Sequence, residues 1–339
     1  MLVYALRRLL LTMPLLLAAS FLVFAIVTSF PGDPCREKLG KATTEEALAK
    51  CRKDLNLDGP FLERYATFLV GAVQLDFGHD LRTDEDVGAV VRRRLPPTIE
   101  LAFVALVIAF LAGSWLGTRS ALRPGTWLDM LGQTVSSLGV SIPVFWLGMI
   151  LISLFGVTLG WLPFGGWSPT DVAPGTDFAT DFLLLESLVR LRPAAFLGAL
   201  EHIALPALAL ATIPLATITR MTRSAFLEEL GRDYVTTARA KGVPERRVIG
   251  RHVRRNALIP VVTITGLQLG TLLSGAVLTE TVFSWPGMGT YMVKAADQRN
   301  YPVLMACMLL FVTIFVTVNL VVDLLYHLID PRLRASADA

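Results

Sequence analysis

Six stretches of this 339-residue chain run for 17 residues or more without a single Asp, Glu, Lys or Arg. They are Leu9–Phe30, Leu101–Thr118, Met130–Thr170, Ile203–Thr219, Asn256–Thr279 and Asn300–Val322. A hydrocarbon core of about 30 Å needs about 20 helical residues to cross it. Within lipid the backbone must satisfy its own polar groups, so each isolated run is read as a helix. Composition agrees. Charged residues make up 17% of the chain and the mean hydropathy is +0.57, where soluble chains carry about 25% charge. That excludes a plain soluble domain, and it excludes a disordered chain, which needs low hydrophobicity and high charge. The net charge of +3 is too small to argue for a nucleic-acid partner.

The expected fold is an all-α membrane protein of six transmembrane helices with a small extracytoplasmic subdomain between helices 1 and 2. Residues 1–30 hold the first span and 31–97 the outer subdomain. Residues 98–326 form a core of five helices near 98–118, 131–155, 201–220, 257–279 and 302–325, and 327–339 form a cytoplasmic tail. The first run exceeds the ~7–15 residues of a signal-peptide core, so it reads as an uncleaved helix. Met130–Thr170 is too long for one helix. It reads as a span near Gly132–Phe155 followed by an interfacial stretch rich in Gly, Pro and Trp. Ile203–Thr219 is the weakest span, because Pro206 and Pro214 interrupt its hydrogen-bond ladder.

Lys and Arg in short loops orient the spans. Arg7, Arg8, Arg119, Arg123, ten bases between Arg220 and Arg255, Arg332 and Arg334 all fall on one side of a six-span chain. That side is the cytoplasm, with both termini inside. Arg92, Arg93 and Arg94 object from the outer side, but they end a long loop, and long loops obey the rule poorly. The same loop carries Cys35 and Cys51, in a compartment where disulfides persist. Pairing would contribute about 3 kcal/mol in the chain-entropy model and would pin the helix-prone Thr43–Arg52 to the end of the first span. Two independent thiols are the alternative. Cys307 reads as a small core residue. The second outer loop, with Trp161, Trp167, Asp171, Asp177, Asp181 and Glu186, reads either as a docking face or as an interfacial cap.

The loop between spans four and five is the most patterned polar segment. Arg232–Ala240 lacks Pro and Gly and reads as a short helix. Gly242 stands where a left-handed residue stops it, and Pro244 suits the first turn of a second helix. That helix carries Arg247, Arg251 and Arg254 or Arg255 along one face. Helix, glycine break and helix can present a knob to a cytoplasmic protein. A basic lipid-facing loop is the plainer alternative.

The run from Asp233 to Gly242, with Arg251-His252 and Arg255-Asn256-Ala257-Leu258-Ile259-Pro260, closely resembles the EAA-type loop of ABC importer permeases of the dipeptide/oligopeptide/nickel subgroup. Asp54–Pro60, Arg64-Tyr65, Asp76-Phe77-Gly78, the Phe283–Gly289 turn and Asp330-Pro331-Arg332 resemble other parts of the same pattern, so the likeness runs nearly the whole chain. Thr236 stands where the general EAA consensus has an acid, and Gly242 to Pro260 is longer than that consensus. Both departures are similar to the peptide-type subgroup. The resemblance implies a type I ABC importer permease fold and an import function, with di- or oligopeptides as the default substrate and nickel chelates or another small solute as alternatives. It implies that Tyr234, Val235, Thr237, Ala238, Arg239, Ala240, Lys241 and Gly242 form a coupling element. The implied partners are two cytoplasmic ATPase subunits or domains, a second homologous permease, an extracytoplasmic substrate-binding protein and membrane lipid.

No G-x-x-x-x-G-K-[ST] occurs, so ATP and Mg are expected on the partner ATPases and no cofactor in this chain. No paired His or Cys spacing argues for a metal, and no G-x-S-x-G for a hydrolase. Glu201, His202, Glu280 and Asp323 lie at span ends, where snorkelling or helix-end charge explains them, with a part in substrate contact or mechanism as the alternative. A stand-alone ion-coupled transporter would need ionisable groups well inside a span, and a membrane enzyme would need a catalytic constellation. Neither is legible. Ser136, Ser137, Ser141, Thr217, Gln268, Thr271, Ser274 and Asn319 read as polar contacts between helices, and Gly113/Gly117 and Gly266/Gly270 as close-packing pairs. The substrate path itself is unassigned.

Overall fold

The computed structural model describes residues 2–30, 33–39, 44–54, 57–173, 175 and 177–329. Among them the structure is helical, with one isolated antiparallel bridge, His79 to Asp86. The helices are α1 (Leu2–Ser29), α2 (Pro34–Leu39), α3 (Glu45–Asp54), α4 (Phe61–Gln74), α5 (Val87–Leu122), α6 (Trp127–Ser141), α7 (Val144–Leu151), α8 (Pro169–Val172), α9 (Leu183–Val189), α10 (Pro193–Leu230), α11 (Asp233–Ala240), α12 (Glu245–Arg247), α13 (Arg254–Gly275), α14 (Val277–Val282), α15 (Met288–Asp297) and α16 (Tyr301–Ile329). π-helical segments continue α7 over Ile152–Thr158 and join α12 to α13 over Val248–Val253. The Asp330-Pro331-Arg332 ending, Thr43, Leu55 and Asn56 lie outside the described residues.

Five helices are long and apolar enough to cross a membrane, and a bent pair makes a possible sixth. The pair is α6 and α7 with its π-helical extension, turned by 106°. The single span read near Gly132–Phe155 is thus broken in the middle. Pro143 has no N–H to donate and pushes Ile142 out of the helical region, where it sits at φ −86°, ψ 123°.

The central pair is α5 and α10. α5 buries Ala102, Ala105 and Ala109 in one stripe, and α10 buries Ala199, Ile203, Ala207 and Ala211. Gly113 and Gly117 let the two backbones close. A Cβ on Gly117 would lie 2.6 Å from the Thr219 carbonyl oxygen, and one on Gly113 would lie 3.0 Å from Ile218. Gly266 and Gly270 play the same part where α13 meets Val322 and Phe315 of α16. Small residues at helix crossings are what packing in lipid requires, since lipid supplies no hydrophobic drive between helices.

Pro206 and Pro214 do not divide α10. The helix runs 38 residues through both, and both prolines are buried. Each removes one ladder bond, but the dense contact with α5 holds the helix together across them. α5 is also longer than its apolar run, at 36 residues, or about 54 Å at 1.5 Å per residue. Arg92, Arg93 and Arg94 therefore ride on a helical extension more than a turn beyond Leu101, away from the apolar band.

α1 and α16 lie side by side, with Arg8 bonded to Asp323 at 2.7 Å, so the chain's two terminal helices have these ends at one end of the bundle. At the opposite end Cys35 and Cys51 form a disulfide, with Cα atoms 5.8 Å apart. Asp33 accepts from Arg52 beside it. α4 docks on α1 through an aromatic cluster of Phe21, Phe24, Phe61, Tyr65 and Phe68. The Tyr65 hydroxyl lies 2.8 Å from Ser20 Oγ.

Candidate functional site

The α11 segment is a knob held from beneath. Val235 is fully buried among Ala121, Ala225, Phe226, Val248, Val253 and Ala257, with Ala238 and Val243 packed against the same cluster. The chain reverses after Ala240 because Gly242 adopts φ +72°. The Gly242 N–H reaches the Arg239 carbonyl at 2.9 Å, and the Val243 N–H reaches the Ala238 carbonyl at 3.2 Å. Those two bonds define a Schellman motif, and Ala238 and Val243 both pack on the Val235 cluster beneath it. Arg239 then spans the break, donating to both carboxylate oxygens of Glu245 at 3.1 and 2.7 Å. The Tyr234 hydroxyl donates to Glu229 and accepts from Asn256, tying the end of α10 to the start of α13. Arg232 pairs with Glu228.

Of the residues expected to form this element, Tyr234, Thr237, Arg239, Ala240, Lys241 and Gly242 are exposed and Ala238 is half-buried. Val235 has no surface to offer. Its side chain anchors the helix to its own bundle. A helix of eight residues is too short to be stable alone, so this anchor is what lets the exposed face exist. The second helix expected after Pro244 forms, but its π-helical turn at Val248–Val253 disturbs the four-residue spacing of the arginines.

Beneath the knob lies a network absent from the sequence reading. Asp129, at the start of α6, is 3% exposed. It accepts from Arg223 at 2.8 and 3.2 Å, from Ser120 at 2.5 Å and from the Gly125 N–H at 2.9 Å. One carboxylate thus joins α5, α6 and α10. Sequence shows the acid and the arginine as two charges 94 positions apart, and nothing local marks them as partners.

The disulfide end uses carboxylates as caps. Glu280 is fully buried. It accepts from Thr98 Oγ1 at 2.6 Å and from the Gly289 and Thr290 N–H groups at 2.7 and 3.1 Å. It therefore caps α15, whose own N-cap is Gly287 and has no side chain. A Cβ on Gly287 would fall 2.4 Å from that carboxylate, which gives the Pro286–Gly289 turn its glycine. Glu100 does the same for α9, accepting from Leu185 and Leu184 N–H at 2.8 and 3.4 Å. Asp80 gathers the N–H groups of Arg82 and Thr83, the Asn300 amide and the Tyr291 hydroxyl. Burial raises its pKa, but these four donors together outweigh it and hold the carboxyl below the ordinary aspartate range. Glu186 is held down in the same way: its burial is outweighed by Thr180 and the Ala179 N–H.

Several polar groups within the spans bond to their own helices, while Ser114 Oγ and Thr222 Oγ1 are buried without a partner among the described residues. Ser141 donates to Ser137 O, Thr217 to Ile213 O, and Thr271 to Gln268. Glu201 and His202 stand in α10, and His202 Nδ1 lies 2.8 Å from the Gly198 carbonyl oxygen. The Ser274 side chain is outside the described residues. Among the described residues no group of three or more His, Cys, Asp or Glu is placed to hold a metal.

A multi-pass helical bundle with buried carboxylates spent on architecture, and an exposed helix–glycine–helix knob at one end, is the build of a membrane transport subunit. Residues 94–335 match the binding-protein-dependent transport system inner membrane component family, residues 1–102 match the N-terminal region of such membrane components, and the chain belongs to that family. It is a permease subunit of an ABC importer in the bacterial inner membrane and not an enzyme. The di/tripeptide transport system permease protein DppB of Pseudomonas aeruginosa is 44% identical over 335 residues, covering 98% of this chain and 99% of that protein. The dipeptide transport system permease protein DppB of Escherichia coli K12 is 40% identical over 336 residues, covering 98% and 99%. The glutathione transport system permease protein GsiC of Salmonella paratyphi A is 38% identical over 334 residues, again covering 98% and 99%. A crystal structure of an amino acid ABC transporter with histidines aligns with a TM-score of 0.50 at 11% identity, over 70% of this chain and 94% of that one, a likeness of fold alone.

Proposed function

We propose that this chain forms half of the translocation path of an ATP-driven importer for di- and oligopeptides. A second homologous permease supplies the other half. Two cytoplasmic ATPase subunits or domains bind below, and an extracytoplasmic binding protein delivers substrate above. ATP and Mg sit on the ATPases, and this chain carries no cofactor. Both termini are cytoplasmic, which puts the disulfide in the oxidising compartment. Peptide as substrate is supported by relatives named for dipeptides, di/tripeptides and glutathione, itself a peptide, at 38–44% identity over nearly the whole chain.

The observation that carries the coupling role is the α11 knob. Its exposed face of Tyr234, Thr237, Arg239, Ala240 and Lys241, flanked by Ala238, would seat in the ATPase. Val235 would pass the push to the α10–α13 junction, and Gly242 sets the angle between the two helices. Force travels through packed elements with discrete arrangements, and Val235 in its closed apolar cluster is such a contact. The test is purification of the tagged chain from its host in mild detergent, read by mass spectrometry. Recovery of a second permease with P-loop ATPases is expected. A chain that transports peptide alone, with no ATPase bound, would overturn the reading.

A further inference from the structure

At the disulfide end a cleft of about 420 Å³ opens between the start of α5 and the Trp167–Pro169 segment. That volume suits a small ligand, since such sites span about 300–1,000 Å³. Pro97, Trp167 and Leu183 give it apolar lining, and Arg93, Arg94 and Asp181 bring charge. Arg93 is paired with Glu85 at 3.0 Å. Arg94 is half-buried, and its guanidinium has no hydrogen bond or ion pair among the described residues. Trp167 is 4% exposed, stacked on Trp285 at 4.4 Å between ring centroids, and its indole N–H has no acceptor among them. A guanidinium with no direct protein acceptor therefore lines the cleft and stays within reach of water, while the indole N–H behind it is buried, where a missing acceptor is costly. A carboxylate is the acceptor that fits a guanidinium fork. Asp181 and Glu85 on the same lining offer the opposite sign.

We propose that this cleft is a peptide subsite at the outer mouth of the permease, in which Arg94 binds the C-terminal carboxylate and Asp181 faces the terminal ammonium. The proposal rests on the peptide-import reading above and deepens it. The small volume and the presence of both charges favour a zwitterionic peptide over the side chain of a docking protein. Trp167 supplies an apolar wall.

The test uses the assembled importer in lipid nanodiscs without its binding protein, with dialanine and dialanine amide as probes in calorimetry. Wild type is expected to bind dialanine, and Arg94→Gln to weaken it by about ten- to a hundredfold, the range of a hydrogen bond to a charged group. The amide lacks the carboxylate and is expected to bind wild type and variant equally weakly. Arg94→Lys is expected to recover part of the affinity. Equal affinity of wild type for the two probes overturns the subsite, and this arm needs no variant to fold. Loss of binding-protein capture by Arg94→Gln with dialanine affinity intact assigns the carboxylate to the docking partner and also overturns it. Dialanine uptake by the full system without dialanine binding to the permease complex removes the subsite alone. Absence of dialanine uptake by the wild-type system removes the peptide reading and the subsite with it.

Discussion

Gly242 and Gly287 are glycines for opposite reasons. Around Gly242 nothing lies within 4 Å of a built Cβ, and only its φ of +72° excludes other residues. Around Gly287 the backbone is extended and the obstacle is the Glu280 carboxylate. Gly242→Val should therefore strain the backbone by about 1–3 kcal/mol without a clash. The expected result is normal membrane insertion with uptake uncoupled from ATP hydrolysis, measured as transport and ATPase activity in vesicles. Normal uptake would remove Gly242 from the coupling element. Gly287→Ala should instead cost about 1–3 kcal/mol by overpacking, read as a lowered melting temperature of the purified complex. The left-handed stop was legible in sequence, because a glycine between two helix-forming runs has few other meanings. The Glu280 contact was not, since it needs α14 and α15 folded against one another.

At the scale of elements, buried carboxylates join helices that sequence shows only as neighbours or strangers. Asp129 links α5, α6 and α10, and Arg223 is 29% exposed at the side chain. Asp129→Ala should destabilise by about 3 kcal/mol, the low end for breaking a buried pair, and Asp129 with Arg223 replaced together should recover part of that in a double-mutant cycle. Additive losses would show the pair to be uncoupled. Asp80 pins the turn before α5 to α15 through Tyr291 and to Asn300, the residue just before α16. Its folded pKa is depressed, so the stability it contributes is present above the unfolded value near 3.9. That stability is lost as pH falls through the folded value. Hydrogen exchange of residues 79–86 should stay slow from neutral pH to about 4 and accelerate below it, and Asp80→Asn should exchange fast at neutral pH. Protection unchanged in Asp80→Asn would refute the assignment.

At the scale of the molecule, one end is braced covalently and the other by a knob on a packed cluster. The Cys35–Cys51 bond closes a loop of 16 positions, worth about 3 kcal/mol in the chain-entropy model. Both thiols should resist labelling until reductant is added, and Cys35→Ser with Cys51→Ser should loosen the outer subdomain without dissolving the bundle. Full labelling of the oxidised protein would exclude the bond in solution. The spread of the bundle's helices follows from size alone. α5 and α10 each far exceed a hydrocarbon core, so each carries polar ends beyond it, and the N-terminal end of α5 is where Arg93 and Arg94 meet the Trp167–Pro169 segment.

The apolar runs by themselves determined that the chain is a helical membrane protein, because lipid leaves an isolated apolar segment no other way to satisfy its backbone. The glycine break after Arg232–Ala240 likewise determined the helix–turn–helix form of that loop, because helix stops are written in local chemistry. Tertiary structure alone decided that Pro206 and Pro214 stay inside one helix held along α5, while Pro143 separates two helices that each pack on α10. It also decided that Val235 faces inward, that Glu280 and Glu100 cap helices, and that Arg94 has no direct hydrogen-bond acceptor among the described residues. Each of these depends on which distant residue arrives beside it, and no local pattern in the chain encodes that neighbour.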